Sequence, residues 1–129
     1  MKTVLIVEDS DTVRTELKSI IEDAGHKALL ADNGAEGLEL FQNSTDDIAL
    51  VLSDIYMPVM DGLDMCEQIM LYCKSKSKIK APNILMITTE TNQSMKEKAR
   101  EIGVSGWILK PFESDAVSTA ITNILSSKK

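Results

Sequence analysis

Acidic side chains follow two short apolar runs of this 129-residue chain. Glu8 and Asp9 come directly after Thr3–Val7, and Asp54 follows Ile48–Ser53. Carboxylates a few ångströms apart raise one another's pKa values unless a cation lies among them. An all-oxygen cluster without His or Cys suits a hard ion, so Mg²⁺ or Mn²⁺ fits better than Zn²⁺. If the two run ends meet in the fold, the pattern predicts a metal site.

Two further apolar runs end in a hydroxyl and an ammonium group. Thr88 closes Asn83–Thr88, and Lys110 follows Gly106–Leu109. A metal, a lysine and a hydroxyl around one carboxylate are the groups that handle a phosphoryl group. Asp54 would then be the nucleophile, with Lys110 and the metal neutralising charge on the transferring oxygens and Thr88 hydrogen-bonding one of them. Each residue alone also fits a turn, a helix cap or the surface, and the joint pattern favours chemistry.

The elements that must position these groups alternate along the chain. Short Val/Ile/Leu-rich runs are typical of strands buried on both faces, and the stretches between them have the 3.6-residue periodicity of amphipathic helices. Five such pairs predict an α/β fold: one doubly wound, flavodoxin-like parallel sheet with five helices and strand order 2-1-3-4-5. Side chains after the strands then share one edge of the sheet. The predicted strands are Thr3–Val7, Lys27–Ala31, Ile48–Ser53, Asn83–Thr88 and Gly106–Leu109, with the second and fifth nearest the sheet edges.

Local signals mark several boundaries of the predicted helices. Gly25 ends the first helix, and Asn33 with Glu36 resembles a capping box at the start of the second. Gly103 ends the fourth helix, which has the thinnest apolar stripe and is the best candidate to move. Residues 74–80 are predicted as a solvated basic connection, with a docking patch as the alternative.

Length and composition restrict the function. A chain of this length predicts one domain over residues 1–129. The net charge of −6 argues against a nucleic-acid partner. Apolar runs of five to six residues are too short for a membrane span, and no signal-peptide pattern precedes the first run. Cys66 and Cys73 are predicted to be unpaired in a helix core, so a cytoplasmic protein is expected.

Other catalytic classes find little support. The run 34–37 contains two glycines but lacks the lysine of a phosphate-binding loop. The single histidine, His26, lies in a polar turn and is predicted to be a surface residue. A histidine-based triad or metal cage is therefore not expected.

Four segments at the predicted strand ends resemble the response-regulator receiver family across essentially the whole chain: residues 4–10, 53–62, 86–90 and 110–112. Each segment alone is a weak signal, whereas all four in order at strand ends are highly specific. The resemblance implies that Asp54 is the phosphoacceptor. It also implies that Asp9, Asp54 and the backbone carbonyl of Tyr56 bind Mg²⁺ directly, with Glu8 acting through water.

The same resemblance assigns switch residues. Thr88 matches the switch hydroxyl, Lys110 the family's site lysine, and Trp107 the switch aromatic, where Tyr or Phe is commoner. The bond between Lys110 and Pro111 is expected to be cis. Tyr56 departs from the pattern, because many chemotaxis members have a small polar residue there. Since this position flanks the path of the attacking water, we expect Tyr56 to change the lifetime of the phosphoryl group.

The implied function is a two-component switch that takes a phosphoryl group from a histidine kinase and changes the surface of its last two helices and last strand. Residues 88–90 and 106–112 most resemble the chemotaxis (CheY-type) branch, whose target is the flagellar motor switch, and a phosphatase is a further expected partner. The alternatives are a phosphorelay intermediate or phosphate sink, a small aspartyl-nucleophile phosphatase, and a flavodoxin-like binding module without metal dependence. The alternative that this chain is itself an aspartyl-nucleophile phosphatase is disfavoured, because Tyr56 stands where such enzymes have a second Asp.

Overall fold

The computed structural model describes residues 1–76 and 79–126 and contains five strands that alternate with five helices. All five strands have the predicted bounds. The strands are β1 (Thr3–Val7), β2 (Lys27–Ala31), β3 (Ile48–Ser53), β4 (Asn83–Thr88) and β5 (Gly106–Leu109). The helices are α1 (Asp11–Asp23), α2 (Gly34–Asn43), α3 (Gly62–Ser75), α4 (Gln93–Ile102) and α5 (Ser114–Ser126).

The strands form one parallel sheet in the order β2-β1-β3-β4-β5, which confirms the predicted topology. Val7 at the end of β1 pairs with Ser53 at the end of β3, and Thr88 pairs with Leu109. The residues that follow these positions therefore emerge at the same edge of the sheet. This register brings the two predicted acidic segments together.

Two hydrophobic cores lie on opposite faces of the sheet. Alternate residues of β1 serve both, since Leu5 and Val7 belong to one core and Val4 and Ile6 to the other. Helices α2, α3 and α4 cover the first face, and α1 and α5 cover the second. Because both faces of the central strands are buried, their sequences are continuously apolar rather than alternating. The resulting frame fixes the strand ends that hold the site.

Polar side chains begin four of the helices. Ser10, Asn33, Asp61 and Asn92 each accept a hydrogen bond from the backbone N–H three residues ahead. The predicted capping box is only partly formed, because the Glu36 carboxylate accepts from the Asp32 N–H rather than from that of Asn33. Since Ser10 caps α1, Glu8 and Asp9 are left available for the site.

Two further predictions, for the end of the first helix and for residues 74–80, have mixed outcomes. Helix α1 ends at Asp23, and Gly25 lies just beyond with a φ of 87°. Helix α3 extends to Ser75, so the first two residues of the connection predicted for residues 74–80 are helical, while Ser77 and Lys78 lie outside the described residues.

Cys66 and Cys73 are both buried and unpaired, as expected. His26, predicted to lie at the surface, is half-buried, and its Nδ1 accepts a hydrogen bond from the Lys2 N–H at 3.1 Å. Within residues 1–76 and 79–126, no helix is long and apolar enough to cross a membrane.

Candidate functional site

Three carboxylates meet at the carboxyl ends of β1 and β3. Glu8, Asp9 and Asp54 each offer an oxygen within 4.8 Å of the other two. Glu8 and Asp54 are buried, whereas Asp9 is exposed. Parallel strands β1 and β3 are neighbours, so the residues that follow them must lie side by side. The structure thus places all three predicted acidic residues in one cluster.

Lys110 joins the two buried carboxylates of this cluster. Its Nζ donates to Glu8 Oε1 at 2.7 Å and to Asp54 Oδ2 at 2.8 Å. The residues come from three different strand ends, and Lys110 is 56 positions from Asp54 along the chain. The peptide bond between Lys110 and Pro111 is cis, as the resemblance implied. One ammonium group therefore faces two carboxylates at the sheet edge.

The backbone around Asp54 fixes its carboxylate. Asp54 Oδ1 accepts a hydrogen bond from the Ile55 N–H at 2.6 Å, and the Ser53 hydroxyl donates to the Asp54 carbonyl at 2.7 Å. Gly62 lies directly against this carbonyl, where a Cβ atom would collide with the Asp54 oxygen. The Gly62 N–H also donates to the Ile55 carbonyl at 2.8 Å. The start of α3 can approach Asp54 only because residue 62 has no side chain.

Burial and hydrogen bonding shift the pKa values of Glu8 and Lys110 in opposite directions. Burial raises the pKa of Glu8 above its ordinary value, although hydrogen bonds from Lys110 and the Ser10 N–H partly offset this. Burial alone would lower the pKa of Lys110, but its hydrogen bonds to Asp54 and Glu8 outweigh burial and raise it. Lys110 is therefore a fixed positive charge at neutral pH.

The cluster is chemically suited to Mg²⁺. Its donors are all carboxylate oxygens, which hard cations prefer, and neither His nor Cys belongs to it. Both Glu8 oxygens already accept from protein donors, Lys110 Nζ and the Ser10 N–H at 3.0 Å. The exposed Asp9 offers the more open ligand, and the water-mediated role of Glu8 stays a prediction. The structure does not test the role of the Tyr56 carbonyl, which stays a prediction.

Thr88 and Trp107 meet through a residue that the sequence analysis did not single out. Thr88 is buried, and its Oγ1 accepts a hydrogen bond from the Glu90 N–H at 3.2 Å. The indole of Trp107 is half-buried, and its Nε1 donates to the Glu90 carbonyl at 3.0 Å. Lys96 Nζ lies 5.8 Å from the centre of the Trp107 ring. Glu90 thus connects the two predicted switch residues through its own backbone.

The side chain of Glu90 reaches the loop that follows Asp54. Its Oε1 accepts a hydrogen bond from the Tyr56 hydroxyl, and its Oε2 accepts from the Thr91 and Asn92 N–H groups. Tyr56 is about half exposed, at 52%. This hydrogen bond raises the pKa of Tyr56 and lowers that of Glu90. No sequence signal marks this pair, because the two residues are 34 positions apart on different loops.

A small cleft adjoins the acidic cluster, and a larger depression lies at the opposite edge of the sheet. A cleft of about 300 Å³ beside Lys110 is lined by Val13, Glu16, Thr89, Lys110, Pro111 and Phe112. A larger depression, of about 1220 Å³, lies at the amino ends of the strands, beside Lys2 and Asp46. In a parallel sheet the amino ends of the strands lie at the opposite edge from their carboxyl ends, so this depression is remote from the acidic cluster.

Residues 4–122 match the family model described as the response regulator receiver domain. The chain belongs to the response regulator receiver family. The chemotaxis protein CheY of Halobacterium salinarum is 33% identical over 126 residues, which are 98% of each chain. The receiver is therefore CheY-like over its whole matched length and belongs to two-component signalling.

Solved structures agree with this assignment of the receiver. The chemotaxis response regulator CheY4 of Vibrio cholerae has a TM-score of 0.82 and 31% identity, with 96% of this chain and 98% of that chain covered. CheY of Borrelia burgdorferi, in a complex with CheX, BeF3 and Mg²⁺, has a TM-score of 0.86 and 25% identity, with 98% and 90% covered. The flavodoxin-like fold of the receiver is thus that of chemotaxis regulators.

Proposed function

We propose that this receiver is a phosphorylation-operated switch in which Asp54 accepts a phosphoryl group from a histidine kinase. The observation that supports it best is the ammonium group of Lys110, which lies 2.8 Å from Asp54 Oδ2 within a cluster of three carboxylates. A lysine at this position can neutralise charge on a phosphoryl group as it bonds to Asp54. An isolated structural ion pair would not need the exposed Asp9 beside it.

In the proposed reaction, a carboxylate oxygen of Asp54 attacks the phosphorus of a phosphohistidine. The new P–O bond forms as the P–N bond breaks, and the imidazole leaves with the electron pair. Asp9, Asp54 and the Tyr56 backbone carbonyl would hold Mg²⁺, with Glu8 acting through water. When bound, the metal supplies charge neutralisation on the phosphoryl oxygens. Lys110 exchanges part of its contact with Asp54 for a contact with the phosphoryl group.

The resulting change would reach the surface through Thr88 and Trp107. A hydroxyl contact with the phosphoryl group would draw Thr88 toward Asp54 and weaken its hydrogen bond with the Glu90 N–H. Trp107 would then turn into the space that Thr88 leaves. Helix α4 is well suited to shift, because Ala99 is its one buried residue. The phosphate need favour the active arrangement by only a few kcal/mol, as is typical of population shifts.

For partners, we propose the flagellar motor switch as the target and a chemotaxis kinase as the donor. The chemotaxis relatives support this class of pathway. A further partner would be a phosphatase, and the Borrelia relative is itself in complex with CheX. The free thiols of Cys66 and Cys73 fit a reducing compartment, so we place the protein in the cytoplasm. The charge of −6 argues against nucleic acid as a direct partner.

We further propose that the protein is not a turnover enzyme. Tyr56 occupies the position where aspartyl-nucleophile phosphatases place a general acid, and its hydroxyl donates to Glu90 rather than facing a leaving group. Dephosphorylation of Asp54 by the protein itself would be slow and would end each signal. A phosphorelay intermediate or phosphate sink would share this chemistry and differ only in having no output contact.

Intact mass spectrometry with acetyl phosphate tests the proposal. We expect an adduct with the mass of one HPO₃ group that requires Mg²⁺ and is absent in Asp54→Ala. The matched control is Asp32→Ala, which also removes a carboxylate that follows a strand, but an exposed one next to the Asn33 cap. An adduct in Asp54→Ala would refute the assignment of the phosphoacceptor.

Pull-down experiments with the phosphorylated protein then separate the output roles. A switch that acts on the motor should bind the motor switch protein more tightly when phosphorylated. Binding to the kinase without any motor contact would instead favour the relay or sink. The unphosphorylated Asp54→Ala protein supplies the background for both comparisons.

A further inference from the structure

Arg14, in the first turns of α1, reaches back to the peptide that joins the acidic pair. Its Nη1 donates to the Glu8 carbonyl at 2.6 Å, and its Nη2 pairs with Asp11. The Arg14 side chain is 19% exposed, although its partner Asp11 is 90% exposed. Arg14 takes no part in the proposed phosphoryl transfer.

The Glu8 carbonyl belongs to the peptide bond between Glu8 and Asp9. A hydrogen bond to that oxygen fixes the plane of the peptide, and the plane sets the direction in which the Asp9 side chain leaves the backbone. Asp9 is exposed, so the position of its carboxylate depends on this backbone. The Ser10 N–H donates to the Glu8 carboxylate, and the Ser10 Oγ caps α1, which completes a rigid turn. Arg14 closes this turn from the helix side.

We propose that Arg14 is a positioning residue for the metal site: its two-pronged guanidinium, held between the Glu8 carbonyl and Asp11, orients Asp9 toward the ion. A planar guanidinium can bind two acceptors in fixed directions, whereas a lysine ammonium is a single point donor. Groups that orient metal ligands are known to change metal affinity by ~10–100-fold when they are removed. This inference rests on the proposed magnesium site.

The charge of Arg14 and its proposed positioning role predict opposite changes in Mg²⁺ affinity when the residue is replaced. Arg14 is a cation near the ion, so loss of its charge alone should strengthen Mg²⁺ binding. Loss of positioning should weaken it. Arg14→Gln removes both the charge and the hydrogen bonds, and Arg14→Lys keeps the charge but loses the two-pronged geometry. Lys18→Gln, one turn further along the same helix, is the matched control for loss of positive charge.

The test is titration calorimetry with Mg²⁺ alone, together with thermal unfolding of each variant without metal. We expect Arg14→Gln to lose about tenfold in Mg²⁺ affinity, Arg14→Lys to lose severalfold, and Lys18→Gln to bind as tightly as the wild type or slightly more tightly. If Arg14 were merely structural, both variants would unfold at a lower temperature, while Mg²⁺ affinity would be unchanged in Arg14→Lys and unchanged or higher in Arg14→Gln.

Two outcomes overturn the inference. One is wild-type or tighter Mg²⁺ binding by Arg14→Gln, and the other is wild-type binding by Arg14→Lys. Arg14→Lys alone decides the matter if Arg14→Gln does not fold, because it preserves the charge and most of the side-chain volume. If the wild-type protein binds no Mg²⁺, both the proposed metal site and this inference are refuted. If the wild type binds Mg²⁺ and the Arg14 variants bind it equally well, only the inference is refuted.

Discussion

The Tyr56 hydroxyl donates a hydrogen bond to the Glu90 carboxylate, joining the loop after β3 to the loop after β4. Tyr56 lies two residues beyond Asp54, and the Glu90 carbonyl accepts from Trp107. The pair therefore links the surroundings of the proposed phosphoacceptor to the proposed switch aromatic. The Tyr56 hydroxyl also lies 3.5 Å from Sδ of Met95 in α4.

Loss of this hydrogen bond should shorten the lifetime of phosphorylated Asp54. In Tyr56→Phe the ring is no longer tethered beside the path of the attacking water, so we expect severalfold faster dephosphorylation. Tyr56→Asn, which also removes the ring, should be faster still. The rates can be followed by Trp107 fluorescence after the phosphodonor is removed. Tyr72→Phe is the control, because the Tyr72 hydroxyl donates to the Gln42 carbonyl of α2 rather than to Glu90. Equal rates in all four proteins would contradict the prediction.

Removal of the Lys110 ammonium should have opposite effects on stability and on metal binding. Lys110→Met leaves Glu8 and Asp54 without their shared cation, which should cost about 2 kcal/mol of unfolding free energy because the pair is largely, but not fully, buried. The same change removes a positive charge beside the carboxylates, so Mg²⁺ should bind more tightly. Denaturant unfolding and Mg²⁺ titration measure the two effects.

The control for Lys110 is the exposed ion pair of Lys27 and Asp46, with 2.8 Å between Nζ and Oδ2. Solvent screens exposed pairs, so Lys27→Met should change stability little and leave Mg²⁺ affinity unchanged. Weaker Mg²⁺ binding by Lys110→Met would show that the ammonium group organises the carboxylates rather than competing with the metal.

The two thiols should be unreactive in the folded protein. Burial raises the pKa of Cys66 from 9.0 to about 12, and burial also raises the pKa of Cys73. The reactive thiolate is therefore scarce at about pH 8, and alkylation should be slow until denaturant exposes both groups. Above about pH 9 the Cys66 thiol loses its proton in the unfolded chain but keeps it in the folded protein. The free energy of unfolding should therefore fall as the pH rises from about 9 towards 12. Rapid alkylation of the folded protein near pH 8 would contradict this.

Two glycines should respond differently to alanine. At Gly62 a Cβ atom would collide with the Asp54 carbonyl, so Gly62→Ala should cost about 2–4 kcal/mol and displace Asp54, with slower phosphorylation. Gly25 has open space but a φ of 87°, so Gly25→Ala should cost only about 1 kcal/mol and leave phosphorylation unchanged. Denaturant unfolding and the rate of adduct formation distinguish these cases, and equal phosphorylation rates would rule out the role given to Gly62.

Much of the site was predictable because side chains after parallel strands must share one edge. Continuous apolar runs indicated the strands with their bounds, and the five-fold alternation indicated the order β2-β1-β3-β4-β5. The cluster of Glu8, Asp9 and Asp54 followed from that order alone. Helix ends were predicted less sharply: α3 continues to Ser75, because a polar, basic sequence is compatible with an exposed last turn of a helix.

The amino-acid sequence by itself determined the strands, the topology and the acidic edge, since these depend on apolar periodicity and on the residue types that follow each strand. Only the tertiary structure decided that the Tyr56 hydroxyl donates to Glu90 and that Arg14 donates to the Glu8 carbonyl. The same holds for the backbone of Glu90, which connects Thr88 to Trp107. These contacts depend on side-chain directions and loop paths, for which local sequence has no periodic signal.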